Sequence, residues 1–85
     1  MKVTVLFFAS LREQVGRPRE EIELPANVAT VGALRDHLRD RGGAWDSVFA
    51  PHKPVRAAVN QNMVQPAAAI KNGDEVAFFP PVTGG

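Results

Sequence analysis

Two strongly apolar segments, one at each end of the chain, place the tightest constraint on the fold. Residues 3–8 (VTVLFF) present two alternating rows of side chains that are apolar apart from Thr4, which predicts a central strand that is apolar on both faces. Residues 75–79 (EVAFF) predict a second strand, with Val76 and Phe78 on one face. Because strands of this kind suit the interior of a sheet, we expect the first and last strands to lie side by side in its middle.

A short helix and a strand with one wet face are predicted after the first strand. Ser10 and Glu13 have the spacing of a capping box, which predicts a helix over 11–15, and Gly16 is suited to end it. Alternating charged and apolar residues over 21–24 predict a strand that is solvated on one face.

The main helix is predicted to follow, with Thr30 as its N-cap and glycines 42–43 as its stop. Its apolar stripe recurs at helical spacing and comprises Val31, Leu34 and Leu38. A further helical turn is predicted over 45–49, a third strand over 55–59 and a short return strand over 63–64. This order of elements is typical of an α+β protein, for which we expect a β-grasp roll: a mixed sheet with one main helix packed across it.

The composition excludes several classes of function. The chain has no cysteine, so it carries no thiol nucleophile, thiolate metal site or disulfide of its own. Ten Lys and Arg against nine Asp and Glu give a formal net charge of +1, too balanced for the basic surface that binds nucleic acid. The opening run MKVTVLFFAS is too short for a signal peptide or a membrane span. We therefore expect a soluble, cytoplasmic protein that binds neither nucleic acid nor membrane.

Side chains that commonly catalyse reactions are few and scattered. His37 falls among polar helix residues and His52 in a proline-flanked loop, so both are predicted at the surface rather than as ligands or bases. Glu20, Glu21 and Glu23 form a charged cluster that is more typical of a solvated strand edge than of an acid–base pair. We expect no metal site and no stably bound cofactor.

The closing residues PPVTGG are the segment that most strongly suggests chemistry. The chain has room for a single domain, predicted over 1–79, followed by a tail over 80–85. The two prolines of the tail lack N–H donors and hold the chain extended, so we expect it to project by about 20 Å. Gly84 and Gly85 put no side chain near a terminal carboxylate, so a narrow channel can admit it. The alternative interpretation is a strand terminator followed by a frayed end.

The sequence resembles the MoaD/ThiS family of ubiquitin-like sulfur carriers, and within it the small subunits of molybdopterin synthase. The resemblance covers nearly the whole chain through VLFFASLRE, TVGALRDHL, AAVNQ and NGDEVAFFPPVTGG, of which the last is the most specific. ThiS-type carriers also end in Gly-Gly, but they are similar more loosely and lack the helix-bearing stretch around 10–16. The FFPP element therefore favours the molybdopterin branch.

The resemblance implies that Gly85 carries sulfur. In the family, an ATP-dependent adenylating enzyme related to ubiquitin activators adenylates the terminal glycine, and a sulfur donor protein converts the acyl-adenylate into a thiocarboxylate. The sulfur then passes to cyclic pyranopterin monophosphate in a large subunit, within an assembly of two small and two large subunits, during molybdenum cofactor biosynthesis. This chain is thus expected to be a synthase subunit and sulfur donor. Gly84 is expected to give access to the carboxylate of Gly85, because it has no side chain. The catalytic side chains are expected on the large subunit, and ATP is consumed by the adenylating enzyme.

A docking face is predicted from side-chain alternation and from the same resemblance. If Val76 and Phe78 face the main helix, Phe8 and Phe79 share the opposite face, where large apolar side chains mark an interface. By motif position, the family's contacts with the large subunit correspond to Phe8, Met63 and Phe79; cover by local loops is the alternative for both phenylalanines. The tail adds Pro80, Pro81, Val82 and Thr83. A solvated helix face is predicted for three further residues that are also candidates for docking an acidic partner: Arg35, Arg39 and Arg41.

Two functions of other classes are open on the sequence. A ubiquitin-like modifier would use the same activated Gly85 to acylate a lysine of a target protein. A β-grasp interaction module without chemistry would not need Gly84 and Gly85 at all.

Overall fold

Five strands and three helices are present in residues 1–81, the part of the chain that the computed structural model describes. The elements in chain order are β1 (Lys2–Phe7), α1 (Ala9–Val15), β2 (Arg19–Glu23), α2 (Val31–Arg39), α3 (Ala44–Val48), β3 (Arg56–Val59), β4 (Asn62–Val64) and β5 (Glu75–Phe79). All five predicted strands and all three predicted helical segments are present, with bounds that differ by one or two residues.

The five strands form one mixed sheet in the order β2-β1-β5-β3-β4. Strands β1 and β5 are adjacent and parallel, with Val5 opposite Val76 and Phe7 opposite Phe78, while the other pairs are antiparallel. The first and last strands of the chain thus lie next to each other inside the sheet, as their apolar character predicts. The predicted α+β class and β-grasp roll are confirmed.

The core lies between the sheet and the helices. The side chains of Val5, Phe7 and Phe78 are almost fully buried, and so are those of Leu34 and Leu38 on α2. Aromatic rings extend this core toward α3, where the ring of Phe49 meets that of Phe78 edge-on at 5.1 Å and Trp45 meets Phe7 at 5.4 Å. The alternation predicted for the two central strands, with one face on the helix, is therefore confirmed.

Helices α1 and α2 begin differently, and the start of α2 alone was predicted correctly. At α2, the Thr30 hydroxyl accepts a hydrogen bond from the Ala33 N–H at 3.1 Å, which confirms the predicted N-cap. At α1, the predicted cap Ser10 is wrong: the N-cap is Phe8, without a side-chain bond, and Ser10 lies inside the helix. The reason is that the Phe8 N–H donates to the Phe78 carbonyl at 3.1 Å, so the strand ladder continues to Phe8 and the helix begins directly after it.

Glu20 is not the solvated strand-edge carboxylate that its sequence neighbourhood predicts. Both of its oxygens accept hydrogen bonds from Arg41, at 2.8 and 2.7 Å, and Arg17 donates to it at 2.9 Å. The Arg41 guanidinium also lies 4.5 Å from the centre of the Trp45 ring. These contacts connect β2 to the segment between α2 and α3. Glu21 and Glu23 are exposed, as predicted.

Glu20→Gln is expected to lower the free energy of unfolding by about 1 kcal/mol at neutral pH, since the amide keeps the shape but loses the charge. The hydrogen bonds from Arg41 hold the pKa of Glu20 below its ordinary value of 4.5 in the folded protein. A depressed pKa contributes stability that is present above the unfolded pKa and is lost as the pH falls through the folded pKa. Urea denaturation should therefore show the difference from wild type shrinking between about pH 7 and about pH 3.

The matched control is Glu21→Gln, because Glu21 is the exposed neighbour of Glu20 on the same strand. It should change the free energy of unfolding by less than about 0.5 kcal/mol at either pH. A Glu20→Gln effect that is the same at both pH values would contradict a role for the carboxylate charge.

Candidate functional site

The face of the sheet opposite α2 carries a row of apolar side chains that crosses four strands. Leu6 of β1 is opposite Ala77 of β5, Ala77 is opposite Ala58 of β3, and Ala58 is opposite Met63 of β4. Because successive side chains of a strand alternate between faces, the burial of Val76 and Phe78 against the helices places this row on the other side. Met63, at the end of the row, is 57% exposed.

A second row beside the first contains Phe8 and Phe79. Phe8 is 45% exposed, and with Met63 it is one of the two large apolar residues that are exposed within residues 1–81. Phe79 is half-buried, with Arg56 of β3 as its cross-strand neighbour. Cover by local loops is thus wrong for Phe8. We call this surface the apolar patch, which consists of Leu6, Phe8, Met63, Ala77 and Phe79.

The chain leaves the sheet next to the apolar patch. Strand β5 ends at Phe79, and Pro80 and Pro81, which we call the tail root, follow it half-buried. A cavity of about 310 Å³ lies on one side of the tail root, between α2 and the β3–β4 edge, and one of about 180 Å³ lies on the other, beside α1. The four remaining predicted site residues lie outside the described residues: Val82, Thr83, Gly84 and Gly85.

Arg35 does not belong to a solvated helix face, contrary to the prediction. Its Nε donates to the Phe49 carbonyl at 3.0 Å, and its Nη2 donates to the carbonyls of Ala50 and, at 2.9 Å, Lys53. Burial lowers the pKa of Arg35 from its ordinary value, although an arginine stays charged at neutral pH. The guanidinium thus anchors the loop over 49–53, which lies beside the tail root.

Arg39 and Arg41 are also engaged within the protein. Arg39 lies 3.5 Å from carboxylate oxygens of Asp36 and Asp46, and Arg41 binds Glu20. A solvated position is thus confirmed for Arg41, which is exposed, and holds in part for Arg39, but their ion pairs were not predicted. The reason is that their carboxylate partners lie on other turns and elements, which the helix pattern by itself does not reveal.

The two histidines lie apart from the apolar patch. His52 is exposed and His37 is half-buried on α2, so a surface position is confirmed for His52 and holds in part for His37. Within residues 1–81, no three His, Asp and Glu side chains are grouped so that they can hold a metal ion. No helix in that range is long and apolar enough to cross a membrane.

The sequence interpretation missed Ala58 and Arg56 as members of the sheet surface around the apolar patch. Their own strand shows the right alternation, but which strand lies beside them depends on the pairing of β3 with β5, which are far apart in the chain. A parity argument extended from β5 to β3 would have identified both residues once that pairing was known.

The fold and the apolar patch beside the tail root define a small β-grasp protein of the ubiquitin-like class. The ThiS family matches residues 5–85, and the chain belongs to that family. It is 45% identical to the molybdopterin synthase sulfur carrier subunit of Haemophilus influenzae and 46% identical to that of Escherichia coli. Each of these similarities covers 98% of this chain and 99% of the relative.

Solved structures show the same fold. A putative molybdopterin converting factor subunit 1 from Pyrococcus furiosus is 33% identical, with a TM-score of 0.79 over 96% of this chain and 99% of that one. The small archaeal modifier protein 1 of Haloferax volcanii is 27% identical, with a TM-score of 0.78 over 95% and 98% of the two chains. One further similar chain comes from a complex of subunits 1 and 2 of the molybdopterin-converting factor from Helicobacter pylori. The match covers 100% of this chain and 100% of that one, at 22% identity and a TM-score of 0.66, and it shows the fold alone.

Proposed function

We propose that this chain is the sulfur carrier subunit of a molybdopterin synthase, with Gly85 carrying the sulfur as a thiocarboxylate. The observation that carries the proposal is the end-to-end similarity to sulfur carrier subunits, at 45% and 46% identity over 98% of the chain. The chemistry of the sequence agrees with it. A protein without cysteine holds no sulfur on a thiol, whereas a carboxylate flanked by glycines is open to attack and to a narrow channel.

The proposed reaction begins with the carboxylate, which is a poor electrophile until it is activated. In the adenylating enzyme, a carboxylate oxygen of Gly85 attacks the α-phosphorus of ATP and pyrophosphate leaves, which forms an acyl-adenylate. Sulfide delivered by the sulfur donor then attacks the carbonyl carbon, the C–O bond to AMP breaks, and the thiocarboxylate and free AMP are formed. In the large subunit, the sulfur moves to cyclic pyranopterin monophosphate, and water restores the carboxylate of Gly85. The catalytic side chains for these steps belong to the partner proteins.

The apolar patch is the surface that this function needs for docking. Phe8 and Met63 are exposed beside the tail root, so a partner that covers the patch also lies where the tail leaves the domain. The similar proteins of Haemophilus influenzae and Escherichia coli are subunits of molybdopterin synthase, which supports the large subunit of that enzyme as the occupant. We therefore assign the docking of the large subunit to this patch. The tail would then enter the large subunit.

The double variant Phe8→Ser, Met63→Ser is expected to weaken binding to the large subunit by about 10- to 100-fold, because exposed apolar anchors at the centre of an interface carry much of its binding energy. The free energy of unfolding should fall by only about 1 kcal/mol, since Met63 is 57% exposed and Phe8 45% exposed. Titration calorimetry measures the binding and urea denaturation measures the stability.

Asp40→Ala serves as the control for this double variant, since Asp40 is exposed at the end of α2 and away from the patch. It should bind like wild type. Equal affinity of all three proteins for the large subunit would assign docking to another surface.

The proposed function is tested by activation in vitro. The protein is incubated with ATP, an adenylating enzyme and a sulfur source, and intact-mass analysis then looks for the replacement of one oxygen by sulfur. The thiocarboxylated protein, mixed with the large subunit and cyclic pyranopterin monophosphate, should return to the carboxylate as molybdopterin forms. If no thiocarboxylated protein forms in the presence of an active adenylating enzyme, the result counts against the proposal.

A second candidate function is the modification of other proteins. The 27% identity and shared fold with a small archaeal modifier protein favour it, because the same acyl-adenylate can be attacked by a lysine amine instead of sulfur. Gly-Gly remnants on lysines of target proteins, lost when Gly85 is deleted, would support this function. Their absence from cells that produce the thiocarboxylate would leave sulfur transfer as the function.

A further inference from the structure

Three cations lie beside the tail root. Arg35 and Arg56 line the larger cavity together with Pro81, and Lys53 lines the smaller cavity together with Pro80 and Pro81. Among the described residues that line either cavity there is no Asp or Glu. Because the whole chain has a formal net charge of only +1, the surface away from these cations is net negative. We call Arg35, Lys53 and Arg56 the basic rim.

The basic rim differs from the arginines at the other end of α2. There, carboxylates of Glu20, Asp36 and Asp46 pair with Arg17, Arg39 and Arg41. Within residues 1–81, no carboxylate lies at ion-pair distance from any member of the basic rim. Lys53 and Arg56 are exposed, and the bonds that Arg35 donates within the described part of the chain go to carbonyl oxygens. Among the residues that the structure describes, the positive charges at the tail root are therefore not paired with a carboxylate.

We propose that the basic rim binds carboxylates at the mouth of the channel through which the large subunit admits the tail, an inference that rests on the proposed function. The rim is continuous with the apolar patch, because Arg56 is the cross-strand neighbour of Phe79 and shares the larger cavity with Met63. A partner that covers the patch consequently covers Arg56 as well. Acidic groups on that partner complement a cationic surface that has no acidic side chain of its own.

An extended tail is too long for the basic rim to bind the groups that react at Gly85. Gly85 is four residues beyond Pro81, and an extended chain of four residues spans about 13–14 Å. An ion pair needs its charges within about 4 Å of each other. When the tail is extended in a channel, an adenylate or substrate phosphate at Gly85 is therefore out of reach of the rim, and the mouth of the channel is within reach.

The expected contribution of such exposed ion pairs is to the rate of association. Exposed pairs add little affinity, whereas complementary surface charges speed up encounter and lose this effect when salt screens them. The proposal therefore predicts fast association at low salt that slows as salt is added.

The test compares two double variants that change the net charge equally. Lys53→Glu with Arg56→Glu reverses the charge of the exposed part of the basic rim. Lys2→Glu with Lys71→Glu makes the same change in net charge at the opposite end of β1 and β5. Arg35 is left in place because it anchors the loop. Stopped-flow mixing with the large subunit should show association of the rim variant slowed by about 10-fold or more at about 20 mM salt, and by less than about 3-fold at about 500 mM.

The control variant should associate within about 2-fold of wild type at either salt concentration. The milder Lys53→Gln with Arg56→Gln should slow association by an intermediate factor, so the test does not depend on the fold tolerating glutamate. The proposal is overturned if the rim and control variants slow association equally, or if the rim variant slows association with the adenylating enzyme alone. A wild-type protein that does not bind the large subunit at all would overturn the proposed function too.

Discussion

Phe78→Ala is expected to lower the free energy of unfolding by about 3–5 kcal/mol, one of the largest effects that a single substitution can have in this protein. Phe78 is 1% exposed and lies on β5, between β1 and β3. Its ring meets that of Phe49 edge-on at 5.1 Å. Truncation removes this contact and leaves a cavity that the surrounding sheet cannot fill, because strands on both sides hold β5 in place. Chemical denaturation measures the loss directly.

Phe79→Ala is the matched control, since it makes the same change one residue further along the same strand. Phe79 points to the opposite face and is half-buried, so the loss of stability should be only about 1 kcal/mol. Its main effect should be weaker binding to the large subunit, measured by titration calorimetry. Equal losses of stability in the two variants would contradict the assignment of these residues to opposite faces.

Deletion of Gly84 and Gly85 is expected to abolish thiocarboxylate formation and sulfur transfer while leaving the stability of the domain unchanged. The shortened chain would still end in a carboxylate, on Thr83, so the loss would follow from reach and access. The carboxylate would stop about 7 Å short of its position in the full chain, and the side chain of Thr83 would stand next to it. Intact-mass analysis after activation, together with urea denaturation, measures both properties.

Gly85→Ala provides the control for this deletion, because it keeps the length and adds only one methyl group beside the carboxylate. We expect it to slow activation without abolishing it. A truncated protein that retains its full biological function would instead support an interaction module that carries no chemistry at its end.

The sequence predicted the strands well because their signal is local. Alternation along residues 3–8 and 75–79 shows which side chains face the core, and the same parity places Phe8 on the exposed face. Ser10 was assigned a capping role from an equally local pattern, and this failed because a hydrogen bond from Phe8 to Phe78 extends the strand and moves the helix start. That bond joins residues at opposite ends of the chain, and no local pattern contains it.

The charged residues also show that local patterns do not predict contacts between distant parts of the chain. Glu20 reads as a solvated residue in its own segment, but Arg41, 21 positions away, binds both of its oxygens. Arg35 belongs to the polar side of its helix by spacing, yet its partners lie 14 to 18 positions further along, in a loop without regular structure. Long side chains choose their partners after the backbone has folded, so helical spacing alone does not predict these contacts.

The sequence by itself determined the β-grasp order of elements, the buried face of the central strands and the Gly84-Gly85 pair. These follow from periodicity, turn residues and composition, which act over a few neighbouring residues. Only the tertiary structure decided that Ala58 and Met63 join the face predicted for Phe8 and Phe79, and that Arg35, Lys53 and Arg56 meet beside the tail root. Strand pairing brings together segments separated by up to some 70 residues, and the surface formed there belongs to no single segment of the chain.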